Sequence, residues 1–311
     1  MTVYLHSKTT PKHYAWAFSL LEVIVATVLR REYYKVSQST VFRLTPIGDI
    51  HLGAAACDEE MLKLVIDRIG KENNHYWVGM GDYCDWINMK DPRFSVETLA
   101  DWITRADMVD LAKAQLNRLY MYLKPISSKC LGLVMGNHER AIQMHTERDV
   151  YNELVCEMKK SGGFQTDYRL AVGFYGWIKM LFYNAKDGSK EGSRGIAVNV
   201  HHGFTGGKLA GAKALDMQRW LWTHDADLVI FGHCHTAPTQ PEAVEMVDKN
   251  DNIVTSVRKG VYSGTFLRSI DKRGSTTYSE VKGYLPNPTG VIPEVELRPW
   301  EERERRVRIK T

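Results

Sequence analysis

The chain has 311 residues, 44% hydrophobic and 25% charged, with 41 Lys and Arg against 37 Asp and Glu for a formal charge of +4. That length and mixture exclude a peptide or small module, a disordered chain and a polytopic membrane protein. The excess charge resides in residues 1–47, where Lys8, Lys12, Arg30, Arg31, Lys35 and Arg43 face only Glu22 and Glu32, so the rest is neutral in sum and net charge gives no argument for nucleic acid.

The first element in chain order is the apolar segment Tyr14–Leu29, interrupted by Ser19, Glu22 and Thr27. It is shorter than the roughly 20 apolar residues a bilayer crossing needs, and Glu22 sits in its middle. The expectation is therefore a packing helix within an N-terminal extension, residues 1–40, open to a partner protein but not a membrane. No small-residue cleavage pattern follows it.

Short apolar runs then end, one after another, in polar residues. Phe42–Ile47 stops at Gly48-Asp49, Tyr76–Met80 at Gly81-Asp82, and Leu131–Met135 at Gly136-Asn137-His138. Further on, Ile196–Val200 stops at His201-His202-Gly203, and Leu228–Phe231 at Gly232-His233-Cys234-His235. These read as strands. Between them lie helical patterns: Asp58 as N-cap of 59–71, Ser95 opening 96–123, and a Thr146/Asp149 capping box for a helix to Lys160 closed by Gly162. Tyr168–Phe174 with Trp177–Tyr183 reads as one hairpin, and Ala243–Val247 with Ile253–Val257 as another across an Asp/Asn-rich turn. Strand–helix alternation plus hairpins points to two sheets packed between helices. The five cysteines are scattered and never form CxxC, which implies a reducing, cytoplasmic setting and no thiolate zinc site.

Ligating groups at strand C-termini converge at one sheet edge. The inventory is Asp49, His51, Asp82, Asn137, His201 or His202, His233 and His235, all nitrogen or oxygen donors. That number suits two adjacent divalent ions sharing a carboxylate.

Gly-Asp-Ile-His (48–51), Gly-Asp-Tyr-Cys-Asp (81–85), Gly-Asn-His-Glu (136–139), Val-His-His-Gly (200–203) and Gly-His-Cys-His (232–235) together resemble the ordered motifs of the calcineurin-like metallophosphoesterases. The resemblance implies an α/β (α+β) four-layer αββα sandwich, two mixed β-sheets flanked by helices, over residues 41–298, with a basic tail at 299–311. It further implies that Asp49, His51, Asp82 and His235 hold one metal and Asp82, Asn137, His201 and His233 the other, with Asp82 bridging. For the doublet, strand alternation sets Asn199 and His201 opposite Val198 and Val200. The family usually takes the His that first leaves the strand, so His201 is the expected ligand and His202 faces away or reaches substrate. Two divalent ions, Mn²⁺ first with Fe, Ni or Zn as alternatives, would activate a bridging hydroxide that attacks phosphorus in line, while His138 protonates the leaving group.

The closing Gly-His-x-His resembles the nuclease, cyclic-nucleotide phosphodiesterase and nucleotide-hydrolase branches, and Ser263–Arg268 with Lys282–Pro286 resembles the endings of phage-borne members. Trp86-Ile87 stands where the similar protein phosphatases carry Arg-Gly. The expected activity is a phosphodiesterase or nuclease acting on DNA or RNA. A phosphomonoesterase and a non-catalytic scaffold are the alternatives. Trp86 could stack on a base or pack in the core, Arg140 could clamp phosphate, pair with Glu139 or lie on a helix surface, and Lys208 and Lys213 on the glycine-rich rim could meet substrate.

Overall fold

Strands that are apolar on both faces need a cover on each face, and here both sheets are built that way. A computed structural model describes residues 27–87, 94–184, 192–204, 209–248, 250–270, 286 and 288–311. The elements are β1 (Thr27–Tyr33), β2 (Phe42–Ile47), α1 (Glu59–Lys71), β3 (His75–Gly79), α2 (Leu111–Leu123), β4 (Cys130–Val134), α3 (Asn137–Thr146) and α4 (Val150–Ser161). There follow β5 (Ala171–Gly173), β6 (Tyr175–Phe182), β7 (Arg194–His201), α5 (Ala210–Thr223), β8 (Leu228–Phe231), β9 (Thr239–Val247), β10 (Ile253–Tyr262), β11 (Glu294–Leu297) and β12 (Val307–Lys310).

One six-stranded sheet runs β1-β6-β7-β8-β10-β9 and the other β12-β11-β2-β3-β4-β5. Both are mixed: β2, β3, β4 and β5 are parallel, as are β7, β8 and β10, whereas β6–β7, β9–β10 and β11 with both its neighbours are antiparallel. Between the sheets lies a core of Leu44, Val78, Met80, Leu131 and Val134 from one side, and Ile178, Met180, Ile196, Val198, Val200, Leu228 and Ile230 from the other. Outside the second sheet, Ile47, Trp77 and Leu133 meet Leu62, Ile66 and Ile69 of α1, Leu116 and Leu119 of α2, and Leu154 and Met158 of α4. Outside the first, Val229, Phe231 and Tyr262 meet Met217 and Leu221 of α5. The architecture is the four-layer αββα sandwich.

Asp58 does cap α1, its Oδ1 accepting from Met61 N at 3.1 Å. Other boundaries differ from expectation. Ser95 caps only a single turn, because the chain at 98–100 bonds to the loop at 53–55 (Ala55 N to Thr98 O, Ala100 N to Gly53 O), and α2 starts at Leu111 with Asp110 as its cap. Asp149, not Thr146, caps α4, while the Thr146 hydroxyl donates to Ile142 O at the end of α3. The expected hairpin about Tyr175-Gly176 does not form: β5 pairs with β4, β6 with β7, and Gly173 at φ +83° carries the chain from one sheet to the other. The hairpin β9–β10 forms with Val247 opposite Ile253.

At the N-terminus, the part of the expected apolar helix before Thr27 lies outside the described residues. Thr27–Leu29, its last three positions, belong instead to β1, which pairs in parallel with β6, so the sandwich takes in residues assigned to the extension. The basic tail likewise contributes β12 as an edge strand. Among the described residues no helix is long and apolar enough to cross a membrane.

Candidate metal centre

The parallel strands deliver polar residues to one edge, where the two sheets meet. Asp49 and His51 follow β2, Asp82 follows β3, Asn137 and His138 open α3 after β4, His202 follows β7, and His233 and His235 follow β8. Asp49, His51, Asp82, His233 and His235 all have left-handed backbones, with φ between 47° and 67°. A residue with a Cβ held there costs on the order of 1 kcal/mol or more, strain that gathers where side chains must be aimed. Glycines allow the loops to meet: a Cβ on Gly136 would lie 2.2 Å from Asp82 Oδ1, and one on Gly81 2.6 Å from the Gly136 backbone.

Three donor clusters result among the described residues: Asp49/His51/His235, Asp82/His202/His233, and His51 with Asp85 and His138, which shares His51 with the first. In the first, Asp49, His51 and His235 bring one ligand atom each within 4.8 Å of one another, and His51 Nε2 stands 3.1 Å from His235 Nε2. Asp49 is fully buried. Its Oδ2 accepts from His233 N, while Oδ1 has no hydrogen-bond partner among the described residues and lies 3.6 Å from His235 Nε2. Burial raises the Asp49 pKa to about 7, an effect that His202 partly offsets. Burial, reinforced by His51, holds His235 well below the usual imidazole range, so its ring is neutral with a lone pair to give.

The second cluster is Asp82, His202 and His233, with Asn137 beside it. His202 Nδ1 donates to Met80 O at 2.7 Å, and Nε2 faces two oxygens, Asn137 Oδ1 at 2.9 Å and Asp82 Oδ2 at 3.3 Å. Burial opposes a charged ring here, yet the Asp82 and Asp49 carboxylates outweigh it and raise His202 to about 10. A neutral His202 would aim a lone pair at two acceptors. The pocket therefore calls for positive charge at this point, carried by a proton or by a cation that replaces it. Burial also works against a charged Asp82, but His202 and His138 hold it well below the carboxylate range, and burial takes His233 down to about 4. The orphaned Asp49 oxygen, the facing imidazole nitrogens and the nitrogen–oxygen donor set fit divalent cations.

His201, the expected ligand of the doublet, is elsewhere. Its Nδ1 accepts from Gly203 N, and its ring sits among Tyr175, Phe204, Trp220 and Phe231, on the α5 side of the sheet. The alternation along β7 holds, with Val198 and Val200 toward the other sheet and Asn199 bonded to Trp220 Nε1. His202 continues the Val200 side, and that side faces Asp82.

His138 Nδ1 donates to Asp85 O at 2.6 Å, and its ring stands edge-on to His51 at 4.7 Å between centroids. Asp85, quoted in the motif without a role, places a carboxylate oxygen 3.5 Å from His51 Nδ1. Glu139 is the other residue sequence reasoning passed over. Buried at 1% exposure, it accepts from Gly136 N (2.8 Å) and Asp82 N (2.9 Å) on Oε2, and from Tyr83 N and Trp86 Nε1 (both 2.9 Å) on Oε1. Trp86 is thus a core residue spent on Glu139 and unavailable for stacking. Arg140 donates to Gln143 one turn along α3, the helix-surface reading rather than a pair with Glu139, and Lys213 donates to Cys234 O; Lys208 lies outside the described residues.

A family model described as calcineurin-like phosphoesterase matches residues 42–237. The chain belongs to the calcineurin-like phosphoesterases. Membership makes it a metal-dependent phosphoester hydrolase whose family binds divalent ions. Among solved structures it is similar to a metallophosphoesterase from Sphaerobacter thermophilus (11% identity, 87% of each chain, TM-score 0.36). It is also similar to Vps29 complexed with zinc from Entamoeba histolytica (12%, 86% of this chain and 90% of that, 0.34) and to a predicted phosphoesterase from Streptococcus pneumoniae (12%, 83% and 84%, 0.29). No curated protein matches. The assignment rests on the family match.

Proposed function

We propose that this phosphoesterase is a dinuclear, divalent-cation-dependent phosphodiesterase, with Mn²⁺ the first ion and nucleic-acid strands the first natural substrates to test. The observation that carries the reading is the presence of two donor clusters with no residue in common, Asp49/His51/His235 and Asp82/His202/His233, at the junction of the sheets. Asp49, His51 and His235 would hold one ion and His202, His233 and Asn137 the other, with Asp82 shared. When bound, such ions supply Lewis-acid charge to the phosphoryl oxygens and acidify water.

The chain's own residues do the rest. Asp85 O fixes the His138 ring through Nδ1, which leaves Nε2 as its working atom. As the oxygen of a water that has given a proton to solvent bonds to phosphorus and the ester oxygen departs with its electron pair, a proton held on Nε2 passes to that ester oxygen. Diesters are favoured over monoesters by charge. Trp86, where the protein-phosphatase motif has arginine, is buried on Glu139, so no guanidinium from that position meets a second phosphate charge.

The test is hydrolysis of bis(p-nitrophenyl) phosphate against p-nitrophenyl phosphate, with Mn²⁺ restored after chelation and Asp82→Asn as the blank. Diester preference absent from the blank is expected, and His138→Ala should lose about 10²–10⁴-fold in turnover with unchanged metal content. Monoester preference would replace the reading with a phosphatase, and a metal-replete His138→Ala of normal activity would remove that residue's role.

A further inference from the structure

Beyond the family-matched region, the segment Ser263–Arg268 crosses the loop that joins β2 to α1 and grips it at both ends. At the near end, Asp49 O accepts from Thr265 Oγ1 at 2.8 Å and from Phe266 N at 3.1 Å. Leu267 N donates to the same Thr265 oxygen at 3.0 Å, so the hydroxyl's one hydrogen is committed to Asp49. Ser263 Oγ lies 3.3 Å from Asp49 Oδ2, the carboxylate oxygen already bonded to His233 N, and 3.3 Å from Gly264 O, so its one hydrogen is shared between the two acceptors. Ser263 and Thr265 are both buried at 1% exposure or less. At the far end, Arg268 clasps Asp58 Oδ2 at 2.6 and 3.0 Å, Asp58 N donates to Phe266 O, and Arg268 N to Ala56 O.

We propose that Ser263–Arg268 is a positioning brace for the first cation position: Thr265 pins the left-handed backbone of Asp49, and Ser263 occupies Oδ2 so that Oδ1 is the oxygen left to the ion. This rests on the metal-centre reading above. Asp49 at φ +47° has to be held by something other than its own preference: Gly81 O takes its N–H at 3.0 Å, and the two donors from the brace fix its carbonyl. A carboxylate with one oxygen saturated presents a single defined ligand atom, as partners of ligating groups do in other metal sites.

The experiment is equilibrium dialysis of the chelated full chain against Mn²⁺, read by atomic emission, with the melting temperature of each chelated variant measured alongside. Thr265→Val and Ser263→Ala should each weaken one Mn²⁺ class by about 10–100-fold, whereas Thr265→Ser, which restores the hydroxyl, should stay within about threefold of the parent. Asp49→Asn separates the two readings. If Asp49→Asn leaves Mn²⁺ affinity intact, the metal-centre reading falls and the brace with it. If Asp49→Asn weakens binding while Ser263→Ala and Thr265→Val bind as the parent does, even with lowered melting temperatures, the brace alone is overturned. Should Thr265→Val fail to fold, Ser263→Ala decides by the same criterion.

Discussion

Replacing Glu139 by Gln keeps shape and removes charge, and its effect can be worked from four hydrogen bonds. Both oxygens of Glu139 accept two N–H groups each, so an amide in the same place must set its NH₂ against two donors, either Gly136 N and Asp82 N or Tyr83 N and Trp86 Nε1. Two bonds to a charged acceptor are lost, at roughly 1.5–3 kcal/mol each. Part returns, because burial and the neighbouring Asp82 charge already raise the Glu139 pKa and the variant no longer buries that charge. The net expectation is a loss of about 2–4 kcal/mol. Urea unfolding of the chelated protein measures it: the midpoint should fall with an unchanged slope. Since Glu139 ties the Asp82 loop to the start of α3, Mn²⁺ affinity should fall too. A stability change under about 1 kcal/mol would refute the view of Glu139 as a fully engaged acceptor.

Within the histidine doublet, His202→Ala should bind roughly one ion fewer per chain, whereas His201→Ala should keep its ions and lose stability through its aromatic surroundings; metal analysis of both variants checks this. Gly136→Ala drives a Cβ to within 2.2 Å of Asp82 Oδ1, so metal binding should drop by an order of magnitude or more, as dialysis would read. Remote from the centre, His75 bonds to Thr45 and Glu72, and burial takes its pKa down to about 4 against 6.5 unfolded. The unfolded chain therefore binds the extra proton between these values, and stability falls as pH drops through that window. Between pH 7 and 5 His75 should remove about 1–2 kcal/mol, a slope that His75→Gln flattens in urea titrations.

The site was legible because strands that end in Asp, His or Asn advertise an edge, and five such endings left little choice of where chemistry sits. In the doublet it is His202, not the expected His201, that the structure turns toward Asp82. Alternation sets His202 with Val198 and Val200, the side facing the second sheet, whereas the position that first leaves the strand, His201, lies on the α5 side. β1 was hidden because Arg31 points inward among apolar neighbours and breaks the pattern. Its guanidinium is satisfied there by Leu131 O, Arg169 O and the Tyr168 ring, a tertiary arrangement no local pattern discloses. Likewise nothing local tells Ser95 that 98–100 will bond to the loop at 53–55 rather than wind into α2.

The proposed donor set is drawn from both sheets: Asp49, His51, Asp82 and Asn137 come from one, His202, His233 and His235 from the other. His51 and His235 are 184 positions apart, so a cation between them closes a very long loop and can be held only after the two sheets have docked. Half-assembled chains offer half a coordination shell. Free cation at about a hundred times its dissociation constant then adds about 2.7 kcal/mol to the docked state alone. On that proposal, the folded fraction of the enzyme would read out metal supply, lowered by chelators that disturb none of its apolar contacts.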